Sequence, residues 1–156
     1  MVIALLLLIG GMGCAMEKEN DIIFPVKNLS EQISLFFDTH LPITSESTCF
    51  FKLSNEEDHF YLINSIEELQ AVYSCEEKLP ELDFKKYSVV IGQKRMPNSY
   101  YIVSDQNIVV QAKNLKLNII AKTYSEGVWP SFSMMYYWGV YPKLPNLKLN
   151  VNIEIK

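Results

Sequence analysis

The chain is poor in the residues from which most active sites are assembled. Its 156 residues include two histidines, three cysteines and six glycines. The histidines, His40 and His59, stand at no metal-ligand spacing from each other or from a cysteine. Three of the glycines fall within Gly10-Gly11-Met12-Gly13, so no glycine-rich phosphate loop can be written, and no G-x-S-x-G turn occurs. Basic clusters are missing too. A net charge of −4 with scattered lysines excludes an electrostatic footprint for nucleic acid or anionic lipid. The carboxylate pairs have ordinary places: Glu67-Glu68 in the first turn of a helix, Glu76-Glu77 in a solvated turn. A calcium loop on Asn55, Glu56 and Asp58 lacks its glycine and its distal glutamate. A hydrolase would need a cleft carrying His59 with carboxylates, and this reading ranks last. No catalytic residue, metal ligand or cofactor is expected, and the chain reads as a non-enzyme.

What is present begins at the first residue. Val2–Ile9 is an apolar run too short for a bilayer, which takes roughly 20 residues. It matches the apolar core of a secretory signal followed by small residues. The stretch Gly11-Met12-Gly13-Cys14 resembles the lipobox of bacterial lipoproteins: Gly13 fits, while Gly11 stands where that family has leucine. The expectation is a signal peptide over 1–13, a lipid (palmitate-type) anchor on Cys14, an acidic tether over 14–21 and one domain over 22–156. Acyl chains, not a basic face, would then hold the protein on a membrane. The place implied is the cell envelope, on either face of the outer membrane. A buried N-terminal helix with a free cysteine is the bland alternative.

With Cys14 acylated, Cys49 and Cys75 remain. An even pair in an exported chain reads as a disulfide; two separate buried thiols are the alternative. A catalytic thiol is disfavoured because no histidine neighbours either cysteine in sequence.

The periodicities predict an α+β domain, a mostly antiparallel sheet with two short helices, one inserted between strands. Ile22–Val26 reads as a strand broken by Pro25. Asn28 and Ser30 offer caps to a helix carrying Ile33, Phe36 and Phe37 and ending near His40. Cys49–Leu53 and His59–Ile63 read as a hairpin around Asn55–Asp58. Ser65-Ile66-Glu67-Glu68 is a capping box, opening a helix that runs to about Cys75. Tyr87–Gly92 reads as a central strand. Tyr100–Val103 and Ile108–Gln111 flank Ser104–Asn107, read as a turn. Leu147–Ile155 alternates without a fault, odd residues toward a core and even ones toward water. Short connections argue for antiparallel pairing.

The remaining oddity is 128–142, which holds both tryptophans and three tyrosines. If it is a strand, Phe132, Met134, Tyr136 and Trp138 share one face, and Met135 and Tyr137 the other. The bland reading is a strand covered on both sides by helices. The sharp reading is a contact surface built from Trp129, Tyr136, Tyr137, Trp138 and Tyr141, since tyrosine and tryptophan dominate such surfaces.

Two stretches, Phe60–Leu69 and Leu82–Gly92, carry a wider resemblance. A strand, an S-x-E-E-L helix, a D-F-x-K turn and a central strand in this order resemble the C-terminal domain of the lipoprotein subunit of bacterial surface protease complexes. The likeness spans roughly 58–156, with Ser99 where the family has glycine. It implies a non-catalytic, lipid-anchored accessory module that binds or stabilises another exported protein, such as a protease or surface complex. It also implies that Asp83 caps a turn and Phe84 plugs the core. A glycan-binding aromatic platform is the alternative function.

Overall fold

The structure, a computed structural model, describes residues 22–27, 30–42, 47–52, 57–97, 99–111, 113–124 and 132–156. Cys14, the tether, residues 53–56 and Trp129 lie outside the described residues. No helix among those described is long and apolar enough to cross a membrane.

Three layers build the domain. One outer layer is a sheet ordered β1 (Ile22–Pro25), β6 (Tyr101–Gln111), β7 (Asn114–Thr123), β9 (Lys148–Ile155). The middle layer is a sheet ordered β3 (His59–Ile63), β5 (Tyr87–Met96), β8 (Ser133–Pro142). Over its other face lie α1 (Glu31–His40), α2 (Ile66–Val72) and the strand pair β2 (Cys49–Phe51) and β4 (Tyr73–Cys75). This is the expected α+β class, mostly antiparallel. The exception is β7 with β9, which pair in parallel. Short connections led to the antiparallel expectation, but β8 intervenes in the other sheet and reverses the chain once more.

Both helices start as their caps dictate. Ser30 Oγ accepts from the Ile33 amide at 3.3 Å, and Ser65 Oγ from the Glu68 amide at 3.1 Å. The return half of the capping box at Ser65 is shifted by one residue, because Glu68 Oε2 takes the Asn64 amide at 2.6 Å. The D-F-x-K turn forms as the resemblance implied: Asp83 Oδ1 accepts from the Lys85 amide at 3.1 Å, and Phe84 packs against the helical-side core.

Three local expectations fail, each because long-range burial outweighs a local signal. Cys49–Leu53 and His59–Ile63 do not pair; β2 pairs with β4, and β3 with β5. The helix expected to reach Cys75 stops at Val72, where Tyr73 turns extended (φ −131°, ψ 130°) and sinks its ring into the core. The polar run Ser104–Asn107 is no turn: β6 runs through it, with a bulge between Val103 and Asp105. Its side chains satisfy the distorted ladder, since Asp105 Oδ1 accepts from the Gln106 amide at 2.8 Å and Ser104 donates to the Ile120 carbonyl at 3.0 Å.

The middle sheet has a core on each face. Toward the outer sheet, Val90, Met135, Tyr137 and Tyr141 meet Ile108, Leu115, Leu117 and Ile119. Toward the helices, Val89, Ile91 and Val140 meet Phe37, Leu41, Phe51 and Leu69. The even residues of β9 are exposed and Leu149 is buried, as its alternation requires. Gly92 and Gly139 are dictated by the tyrosines. A Cβ on Gly92 would stand 2.5 Å from the Tyr137 ring, and one on Gly139 2.8 Å from the Tyr141 ring.

Candidate functional site

Two concave regions adjoin α1, one along a long face and one at its C-terminal end. Ser34, Phe37, Asp38 and Leu41 line the first, while Ile33, Phe36 and His40 look the other way. These sets are spaced three and four residues apart, so one helix serves both.

The first region is a cleft of about 570 Å³ between α1, β6 and β8. Its apolar lining comes from Phe37, Leu41, Val103, Met134, Tyr136 and Trp138. Lys27, Asp38 and Gln106 supply polar groups. Two contacts fix Trp138: its ring stacks on Phe37 at 5.1 Å, and its Nε1–H donates to Asp38 Oδ1 at 2.8 Å. β8 is an edge strand of the middle sheet. Its Trp138 carbonyl accepts from Gln106 Nε2 at 2.5 Å, and its Val140 carbonyl from the Lys27 amide at 2.7 Å. The side of β8 that points away from β5 therefore faces this cleft, with these two carbonyls already taken. Gln106 Oε1 is buried there with no hydrogen-bond partner among the described residues.

The aromatic residues singled out from the sequence divide sharply. Tyr136 and Trp138 are half-buried on the cleft wall. Tyr137 is 3 % exposed and Tyr141 fully buried, so neither offers a ring to a partner. That corrects the reading of 128–142 as one contact surface. The strand is covered on both faces, as the bland reading held, but by a sheet on one side and helices on the other. Burial pushes both phenols well above the usual tyrosine range.

The second region is a corner at the C-terminal end of α1. Cys49 and Cys75 are directly opposed across β2 and β4, with Cα atoms 4.0 Å apart and sulfurs at bonding distance. Glu77 turns its carboxylate onto them: Oε2 lies 3.3 Å from Cys49 Sγ, 3.2 Å from Cys75 Sγ and 3.9 Å from His40 Nδ1. The Thr48 hydroxyl donates to the same carboxylate, 2.8 and 2.7 Å from its oxygens. That hydrogen bond, helped by the residue's own amide and by His40, holds the Glu77 carboxyl below the usual glutamate range. Tyr73 Oη donates to the His40 carbonyl at 2.5 Å. A hollow of about 640 Å³, lined by Tyr73, Cys75, Glu77 and Phe84, opens beside the corner.

The Cys49–Cys75 pairing was expected from the sequence, but the approach of His40 and Glu77 to it was not. His40 is 9 residues from Cys49 and 35 from Cys75, and only the fold brings them together. Glu77, read as a solvated turn residue, is the group on which the corner converges. The one available signal was a polar run, Ser47-Thr48, set directly against Cys49 and capable of orienting a carboxylate. His59, the other candidate, packs edge-on to Phe51 at 4.4 Å, and burial pushes its pKa down. Its neighbour Asp58 is occupied by Lys94 and the Arg95 amide, and Asn55 and Glu56 of the calcium reading lie outside the described residues. No family model, no curated protein and no solved structure matches the chain.

Proposed function

We propose that this chain is a non-catalytic, lipid-anchored accessory module of the cell envelope. It holds an extended segment of another exported protein in the cleft between α1 and β8. The supporting observation is the edge of β8: a ten-residue strand whose side away from β5 borders a largely apolar cleft, with its Trp138 and Val140 carbonyls held by Gln106 and Lys27. Strand addition is the mode such an edge suits, because backbone hydrogen bonds supply affinity and flanking pockets supply selectivity. The glycan alternative has less support, since one face of Trp138 is covered by Phe37 and its N–H is taken by Asp38. Anchoring through Cys14 completes the proposal, as no described helix could do it.

The test is site-specific photocrosslinking in the native membranes. A crosslinker at Ile102, which lines the cleft and is 39 % exposed, is compared with one at Asn150 on the far face of the outer sheet. One dominant exported partner captured from position 102 and absent from 150 is the expected result. Identical captures from both positions would sink the cleft reading. Mass spectrometry of the mature N-terminus tests the anchor separately: a diacylglyceryl-modified Cys14 is expected, and an unmodified Met1 or Cys14 refutes it.

A further inference from the structure

The corner of His40, Cys49, Cys75 and Glu77 brings together donors of three chemical kinds, and the cleft uses none of them. We propose that, with its cysteines in the dithiol form, this corner binds one zinc-class divalent metal ion through two thiolates, an imidazole nitrogen and a carboxylate oxygen.

The spacing suits such an ion. All four donor atoms lie within 4.8 Å of one another. With metal–sulfur bonds of about 2.3 Å and metal–nitrogen bonds of about 2.0 Å, tetrahedral ligands stand roughly 3.3–3.8 Å apart. Glu77 Oε2 already lies 3.3 and 3.2 Å from the sulfurs and 3.9 Å from His40 Nδ1, close to the edges of such a tetrahedron. Cys49 and Cys75 occupy directly opposed positions of one strand pair, so rotation about their Cα–Cβ bonds takes the sulfurs from bonding distance to ligand spacing. The donor set chooses the ion: thiolates with imidazole favour zinc and its neighbours over magnesium or calcium, which take oxygen ligands.

The surroundings behave as an outer ligand shell does. Thr48 orients the Glu77 carboxylate, Tyr73 fixes the backbone of His40, and Phe36 packs against the His40 ring at 5.0 Å. Cys49 is 1 % exposed and closes the inner side. Cys75 and Glu77 border the 640 Å³ hollow, which supplies an entry path.

Loading the oxidised form consumes a dithiol reductant. The reductant's two thiols become its own disulfide, the Cys49–Cys75 bond opens to two thiolates, the metal bonds to both, and two protons pass to water. The ion then does what the sulfur–sulfur bond did between β2 and β4, and through His40 it adds α1 to the junction.

The full chain, reduced with a phosphine and titrated anaerobically with Co²⁺, provides the test. Saturation at one equivalent is expected, with the visible bands of tetrahedral cobalt, a thiolate-to-metal charge-transfer band, and displacement by Zn²⁺. The unreduced chain should give none of these. His40→Ala and Glu77→Gln lie at the rim and should leave the far-ultraviolet circular dichroism intact. Each should weaken binding at least about tenfold, the size of effect that even outer-shell partners show, and each should change the cobalt spectrum. A reduced chain without a tetrahedral spectrum overturns the proposal. So does a spectrum that neither variant alters, since the thiols would then be capturing cobalt on their own.

Discussion

The two faces of the middle sheet are held by different means. Toward the outer sheet, long strands meet: β5 and β8 pair over ten residue pairs, β6 and β7 over ten, and the space between is filled with aliphatic side chains and two tyrosines laid over glycines. Toward the helices, the pieces are short: a seven-residue helix, a ten-residue helix and two three-residue strands. Short elements have many ends, and ends leave backbone groups to be met by side chains. Hence the polar contacts of Thr48, Tyr73, Glu77 and Asp38 collect there, together with both concave regions. The regular side supplies rigidity, and the irregular side supplies chemistry.

The largest break in this contrast comes from the cysteines. Replacing both by alanine reopens a loop whose ends are 26 residues apart, which by loop-closure entropy costs about 3.5 kcal/mol. Native-state hydrogen exchange should show where the loss falls. Amides of α1, β2 and β4 should lose protection well before those of β6, β7 and β9. Uniform loss across both faces would mean that the layers unfold as one unit.

Gly92→Ala strikes the opposite face. The added methyl meets the end of the Tyr137 ring, a side chain that is nearly fully buried. Overpacking of this kind costs about 1–3 kcal/mol. Here exchange should quicken throughout the sandwich, and urea unfolding should show a lowered midpoint with an unchanged slope. Stability equal to the parent would show that the tyrosine can swing aside.

Much of this architecture was legible in the chain, and the exceptions share one cause. Alternation in 147–155 and the two serine caps are local signals, and β9, α1 and α2 begin or run where those residues place them. Tyr73 and the Ser104–Asn107 run defied their local signals because a core position and a bulged ladder drew them elsewhere. The cleft was half legible. Spacing put Met134, Tyr136 and Trp138 on one face, but nothing in the composition showed that a sheet would bury Tyr137 and Tyr141 on the other. Of the corner, the Cys49–Cys75 pairing was legible as an even pair, but the approach of His40 and Glu77 was not, since it depends on the strand partner of Cys49, and the sequence pointed to β3 where the fold uses β4.

A smaller test concerns the hydrogen bond that joins α1 to β4. Tyr73→Phe keeps the buried ring and removes the donor to the His40 carbonyl. A loss of about 1 kcal/mol is expected, read as a lower urea midpoint. Exchange should quicken at the C-terminal end of α1 and stay unchanged in β7. If β7 also loosens, the helical layer is coupled to the far sheet more tightly than its contacts suggest.

The smallest effect is read by pH on the helical side, where His59 lies against Phe51. His59 sits where β3 enters the middle sheet, near Glu57, Asp58 and Tyr61, with its ring against Phe51. Burial holds its folded pKa below the ordinary value, which outweighs the pull of Glu57 and Asp58 in the other direction. The unfolded chain therefore takes up this proton first as the pH falls. The stability that His59 contributes while neutral is complete above an unfolded pKa of about 6.5 and declines below it, until the folded state is protonated too. Asp58 acts in a lower window. Desolvation raises its pKa, but the Arg95 amide and Lys94 more than offset this, so its contribution holds above about pH 4 and is lost only below. His59→Gln should accordingly flatten the decline in stability between about pH 7 and pH 5 while leaving the acid limb below about pH 4 in place. Asp58→Asn should do the reverse. If His59→Gln leaves the upper limb unchanged, the titrating group lies elsewhere.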